Sequence, residues 1–305
     1  EYTITSVGTV NGISRQLQQK MLSRPGANNI LIAIDGHTDL GANIDINGSI
    51  AQISGTLDVQ DSRYMDGYII MGDGEDSLTD KKGAATVANY PPPPAPTIVH
   101  NNYDAAIAKL AGATNDFPHS ALVVESADTV GPGNVYYNAD SVVVGGKGTK
   151  TTIADGTTII TTGEIEFPSH VVVGENVTIL AANINVANQA QIGGGTLIFS
   201  QNDIYMANAS DSSVDGELGV TLLALGDITL ASQIDFRGII FADGEVNLNA
   251  NGSIDGSIIG GVGINGNANL ELNYDPSVFV AGTPILPVLF DDVILTPSSW
   301  QEIPF

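Results

Sequence analysis

The line GDITLASQIDFRGIIF, residues 226–241, is written again as GEVNLNANGSIDGSII at residues 244–259. Gly226 lies over Gly244, Asp227 over Glu245, Ile228 over Val246, Leu230 over Leu248, Gly238 over Gly256 and Ile240 over Ile258. Inside each copy, apolar residues alternate with polar ones, which is strand periodicity. Gly, Asn, Asp and Ser punctuate the strands and supply corners. No copy has room for a crossover helix. A repeat of this size, all strand and corner, suits one coil of a parallel β-helix, in which each rung must match its neighbours.

The copying extends in both directions. VNLNANGSID at 246–255 reads against VGINGNANLE at 262–271, an offset of 16. DIYMA at 203–207 matches DITLA at 227–231, an offset of 24, and NVTILAANI at 176–184 places Val177 27 residues before Ile204. On this alignment an apolar ladder of Val177, Ile204, Ile228, Val246 and Val262 lines the bore. Leucine-rich repeats have a similar period, but their closely spaced Leu and fixed Asn are missing. A β-sandwich with chance self-similarity is the other fold the pattern admits. The expected fold class is all-β: a single-stranded parallel β-helix with one short α-helix and an acidic loop insertion.

Five stretches follow along the chain. Residues 1–27 read as leading strands or a hairpin through Asn11-Gly12, and residues 28–60 as a first set of rungs. Residues 61–120 hold the acidic loop, a Pro-rich spacer (YPPPPAP, 90–96) and a capping helix (NNYDAAIAKLAG, 101–112). Consecutive prolines favour an extended spacer and cannot continue a ladder. In the helix, Asn101 or Asn102 caps the start and Gly112 the end. Residues 121–280 are the main β-helix, and 281–305 form a Pro-rich tail expected to pack on the stack.

Composition bounds the function. Of 305 residues, 43% are apolar but only 6% aromatic, so the core is built from Ile, Val, Leu and Ala. The net charge of −24, from 34 acidic and 10 basic residues, leaves no basic footprint for nucleic acid or anionic membranes. There is no Cys, hence neither disulfides nor thiolate metal sites. No apolar run reaches membrane-spanning length. The chain opens at EYTITSVGTVNG with no initiator Met and no signal peptide, as a processed product or an excised piece would.

Catalytic patterns are sparse. Parallel β-helices often carry polysaccharide-cleaving sites, and the nearest echo of one is Asp35-Gly36-His37-Thr38-Asp39, where Thr replaces the second Gly of a Gly-His-Gly. Asp291-Asp292 falls in the tail. Arg237 is the only basic residue in the rungs after residue 151. Glycoside hydrolysis needs two carboxylates facing one cleft, and 34 acids make chance pairs common. His37, His100, His119 and His170 lack metal-ligand spacing. The loop GDGEDSLTD gathers Asp73, Glu75, Asp76 and Asp80, hard oxygen ligands that make it a candidate Ca²⁺ site, although the spacing is not that of an EF-hand. A solvated acidic loop is the alternative reading. Stacked Asp227 and Glu245 raise a related question, since like charges one rung apart repel unless solvated or neutralised.

The chain ends carry a resemblance. Tyr2, Ile4, Ser6 and Gly8, followed by Gly12 and Arg15, resemble the segment after the pilin-like part of PilX-type, type IV pilus-associated bacterial surface proteins. The stretch GDITL…FRGIIFADGEVNL…GSIDGSIIGG resembles that family's rungs, Tyr274-Asp275-Pro276 its Tyr-Asp-Pro ending, and SSWQE at 298–302 its close. The resemblance implies a β-helix on a bacterial surface, preceded by a hydrophobic helix that inserts into a pilus or pseudopilus and is not in this sequence. The expected function is therefore a non-enzymatic, extracellular cell-surface protein, the exposed β-helical part of a pilus-associated component acting in adhesion or pilus assembly. Its expected partners are other pilus or surface subunits, and glycans. The alternatives are a carbohydrate-active β-helix enzyme and a self-assembling scaffold of the bactofilin kind.

Overall fold

Rungs of about twenty residues can bury an apolar row only by stacking, and stacking is what organises the computed structural model of the chain. It describes residues 2–10, 13–21, 29–41, 43–60, 64–72, 78–80, 86–87, 115–116, 123–124, 129–130, 135–138, 141–145, 150–168, 170–211, 218–267, 269–279 and 301–303. Apart from a short 3₁₀ turn at Pro276–Phe279, the described elements are strands, and those of the stack pair in parallel as a β-solenoid. No described helix is long and apolar enough to cross a membrane. The segment read as a helix at 101–112 and the spacer at 90–96 lie outside the described residues.

Each rung contributes one strand to each of three faces. Thr158–Thr161, Thr178–Ala181, Leu197–Ser200 and Val220–Ala224 stack on the first face. Glu164–Phe167 pairs with the start of Asn183–Ile192, and that with the start of Ile204–Asp211, on the second. Thr151–Ile153, Val171–Val173 and the end of Asn183–Ile192 make the third. Ile228–Ala242 and Glu245–Gly260 each run unbroken across all three faces and pair in register over their length, Ile228 to Val246 and Gly238 to Gly256. The repeated line of the sequence is thus one rung lying on the next.

Inward and outward residues alternate along these strands, as in Ile44–Asn47 and Val171–Val173. On the second face the inward row is Ile165, Ile184, Ile204, Ile228, Val246 and Ile264, all essentially inaccessible. Two members of the expected ladder are corrected. Ile204 stacks on Ile184, and Val177 is buried in the corner before the first face. Val246 stacks on Ile264, whereas Val262 is a corner residue, 48% exposed. A two-residue slip keeps the alternation intact, so the pattern alone does not detect it.

The rungs do not stack in chain order. Ile258 pairs with Leu31, Asn265 with Asp39, and Leu270 with Ile44. The N-terminal rungs therefore sit on the last C-terminal rung and continue the stack through Ser49–Gln52, Thr56–Val59 and Tyr68–Met71. The junction is sealed by hydrogen bonds: the Ile34 N–H to the Gly260 carbonyl (2.8 Å), the Ile264 N–H to Thr38 Oγ1 (3.3 Å), and the Asn47 side-chain amide to Asn273 Oδ1. Thr38 is buried there, satisfied by the backbone it meets. Thr86–Val87 pairs with Tyr68–Ile69, whereas Asn115–Asp116 pairs with the rung at Val135–Asn138.

The first face is apolar on both sides. Its outward row, Ile160, Leu180, Phe199, Leu223, Phe241 and Ile259, is also buried. That explains runs such as TLLAL and GIIFA, which do not alternate. Apart from the stack, Tyr2–Val10 and Ile13–Met21 form an antiparallel pair, with Val10 opposite Ile13. Gln301–Ile303, the described part of the tail, adds to this pair along Gln16, Leu17 and Gln18.

The corner between the first and second faces answers the question of the stacked acids. The Asp227 N–H donates to Asp203 Oδ1 (2.9 Å) and the Glu245 N–H to Asp227 Oδ1 (2.7 Å). At the corner between the third and first faces the Glu175 N–H likewise donates to Asp155 Oδ1 (2.9 Å). Asp155, Asp203 and Asp227 are thus each met by a backbone donor of the next rung, and Glu245 accepts the Asn265 side-chain amide (3.3 Å), which offsets the repulsion. The residue before each of these three N–H donors is Gly (Gly174, Gly226 and Gly244), because a Cβ there would collide with the carboxylate that accepts the bond. A Cβ at Gly244 would collide with Asp227 Oδ1 and press on the Gly226 carbonyl. Gly244→Ala is expected to cost about 2 kcal/mol, read as a fall in the thermal unfolding midpoint. An unchanged midpoint would mean that the corner has slack.

Candidate functional site

Function on a solenoid sits in the outward rows, because the inward ones are filled. On the third face two such rows run side by side. Gln189, Asn208, Gln233 and Asn251 stack one per rung. His170 and Lys150 extend that row, each immediately preceding a strand of the face, before Val171 and Thr151. Two residues along is a second row, Val172, Gln191, Ser210, Asp235 and Ser253. Lys150, His170, Gln189, Asn208 and Gln233 of the first row and Val172, Gln191 and Asp235 of the second line a groove of about 580 Å³, with the buried Val171 and Ala190 beneath. Lys150, His170, Gln189, Gln191, Gln233 and Asp235 are exposed.

The backbone is irregular where this row is made. The register shifts between Val186 and Gln189, and again between Met206 and Asn208. Such bulges bend a strand and re-aim its side chains. Ser232, just before Gln233, adopts φ 66°, a left-handed conformation that non-glycine residues seldom take. Its carbonyl accepts the Asn251 side-chain amide at 3.4 Å.

The amides divide into two classes. In the rungs nearest the junction they bond each other or a carboxylate: Asn269 Nδ2 to Asn251 Oδ1 (3.3 Å), Asn265 Nδ2 to Asn247 Oδ1 (3.3 Å) and Asn273 Nδ2 to Asp255 Oδ1 (2.8 Å). These rows are structural ladders. Along the groove, the side chains of Gln189, Gln191, Asn208 and Gln233 take no hydrogen bond among the described residues, leaving donors and acceptors for something outside the chain.

A second hollow, of about 460 Å³, lies on the second face. Tyr205, 43% exposed, stands beside Asn185 in register, with Glu164 and Asp203 at the margin. Asn185 Oδ1 is buried there without a partner among the described residues.

Asp73, Glu75 and Asp76 of the candidate Ca²⁺ loop lie outside the described residues. Asp80 ends the strand Leu78–Asp80 opposite Val59, and only its backbone is described. Among the described residues no group of three His, Asp or Glu is placed to hold a metal. The hydrolase echo has a structural use: the Gly36 N–H donates to Asp35 Oδ1 (2.8 Å), His37 Nδ1 pairs with Thr56 Oγ1 (2.8 Å), and Asp39 accepts Gln60 Nε2 (3.2 Å). Asp291 and Asp292, like His100 and His119, are outside the described residues.

The Tyr-Asp-Pro of the resemblance is likewise engaged. Asp275 Oδ2 receives Arg237 Nε at 2.8 Å, and Ser277 bonds both partners. Burial by itself would raise the Asp275 carboxyl, but the Ser277 hydroxyl and N–H, together with Arg237, hold it below the usual value. Burial, and then the Asp275 charge, push the Tyr274 hydroxyl up.

The groove row escaped the sequence reading because Lys150, His170, Gln189, Asn208 and Gln233 follow no constant spacing and carry no catalytic signature. Only the register brings them into line. No protein-family model, curated protein or solved structure matches the chain.

Proposed function

We propose that this chain is a non-enzymatic module of a bacterial cell surface, the exposed β-helical part of a type IV pilus-associated component that acts in adhesion or pilus assembly. The observation that carries the reading is the use made of its carboxylates. Asp155, Asp203 and Asp227 accept backbone N–H groups of the next rung, Asp255 accepts an Asn ladder, and Asp275 anchors Arg237. These acids hold rungs together, which leaves the long outward rows as the surface offered to partners. The strongly negative charge suits exposure to a saline, cation-rich medium. The resemblance at both chain ends supports the pilus system as the context.

The test is made in the source bacterium. Deleting the coding region is expected to reduce attachment or piliation while growth is unchanged, and antibody against the chain is expected to label intact cells. Labelling only after lysis would contradict the reading. So would polysaccharide turnover by the purified chain, which favours the enzyme alternative, or regular filaments of it, which favour the scaffold alternative.

A further inference from the structure

We propose that the third-face groove is a glycan-binding site, taking a neutral polysaccharide chain laid along the axis of the stack. The inference rests on the cell-surface reading only for where such a glycan is met. Three independent observations converge on it. First, the amides of Gln189, Gln191, Asn208 and Gln233 take no bond within the described chain, whereas the amides of neighbouring rungs bond one another or a carboxylate. An amide presents both a donor and an acceptor, which is what a sugar hydroxyl or acetamido group needs. Second, the two register shifts and the left-handed Ser232 all fall at the row that places these amides. A bulge re-aims the side chains it carries, and here three irregularities coincide on one outward row. Third, the groove is mixed in character: beside its polar side chains lies Val172, an outward and partly exposed residue that can take the C–H face of a pyranose.

Geometry and charge narrow the ligand. One amide per rung repeats every ~4.8 Å along the axis, close to the residue repeat of an extended polysaccharide, so successive sugars meet successive side chains. The net charge of −24, and Asp235 within the groove, oppose a polyanion. Lys150 and His170 stand together at one end only, too few for a polyuronate and placed to receive a single terminal group.

The test is calorimetric titration of the purified chain with β-1,4-linked glucose and N-acetylglucosamine oligosaccharides, with polygalacturonate as the anionic control. A neutral oligosaccharide is expected to bind and polygalacturonate not to. The double substitution Gln189→Ala with Gln233→Ala is expected to weaken binding about tenfold, and Tyr205→Ala, on the other face, to leave it unchanged. If the double variant melts early, Gln233→Glu alone replaces it, with the same loss expected. Failure of every neutral probe to bind, or wild-type affinity in the folded groove variants, overturns the proposal. The two readings fail separately. A chain that binds these sugars but is not labelled on intact cells overturns the surface reading alone, and a labelled chain that ignores them overturns the groove alone.

Discussion

Replacing Phe236 by alanine is expected to lower the unfolding free energy by about 4 kcal/mol. Phe236 is among the largest side chains in the bore, only 2% exposed, and stacks on Ile254 of the next rung. A bore so poor in aromatic residues has few ways to refill the space, because Ile and Val are stiff. In a stack, each rung is stabilised by its neighbours. The loss should therefore spread as faster amide exchange from its own rung, Ile228–Ala242, to those on either side, along Ile204–Asp211 and Glu245–Gly260. Chemical unfolding of the variant and the parent measures the first effect, and exchange mass spectrometry the second. The exposed Tyr205→Ala is the comparison, expected to change stability by less than about 0.5 kcal/mol. Equal effects from the two substitutions would contradict the placement of Phe236 in the bore.

The second large effect is at Arg237. Replacing it with methionine keeps the bulk but leaves the Asp275 carboxylate, only 25% exposed, without its cation. The expected cost is about 3 kcal/mol. The pH dependence separates charge from packing. The Asp275 carboxyl is held below its ordinary value in the folded state, so its stabilisation is complete above that ordinary value and is lost as pH falls through the lowered one. The parent should therefore lose stability on acidification below about pH 4, and Arg237→Met should show a smaller acid loss. A parallel acid limb in the two proteins would mean that the ion pair contributes nothing beyond packing.

How much of this could be read from the residues differs from one feature to the next. The stacked pair of rungs at 226–241 and 244–259 was legible residue by residue, because Gly238 over Gly256 and Ile228 over Val246 leave one sensible register. The next rung was not: Val262 and Ile264 are two apart, and both satisfy the alternation. The Gly-acid pairs were visible as a pattern, but their cause, the carboxylate of one rung in the space of the next rung's missing Cβ, needs three dimensions. The junction of Ile44 with Leu270 and of Asp39 with Asn265 was invisible, because rungs with a common alternation fit many neighbours and sequence order suggests the wrong ones. The groove row followed from that register and was hidden with it. Chemistry-bearing residue types drew attention to acids, of which Asp35, Asp39, Asp227 and Asp275 are engaged within the stack, while the groove presents plain amides that take no hydrogen bond among the described residues.

The central structural claim is that the N-terminal rungs close on the C-terminal ones. Asn47 and Asn273 are direct partners in adjacent parallel strands, 226 residues apart, with their side chains in contact. The chain has no cysteine, so Asn47→Cys with Asn273→Cys introduces one clean pair at a separation a disulfide can span. Mild oxidation of the folded double variant is expected to form the bond in high yield, seen as faster migration of the denatured chain without reductant. The pair Asp255→Cys with Asn273→Cys, in rungs that are neighbours in sequence as well, serves as the positive control. Efficient bonding in the control and none between positions 47 and 273 would contradict the closed stack.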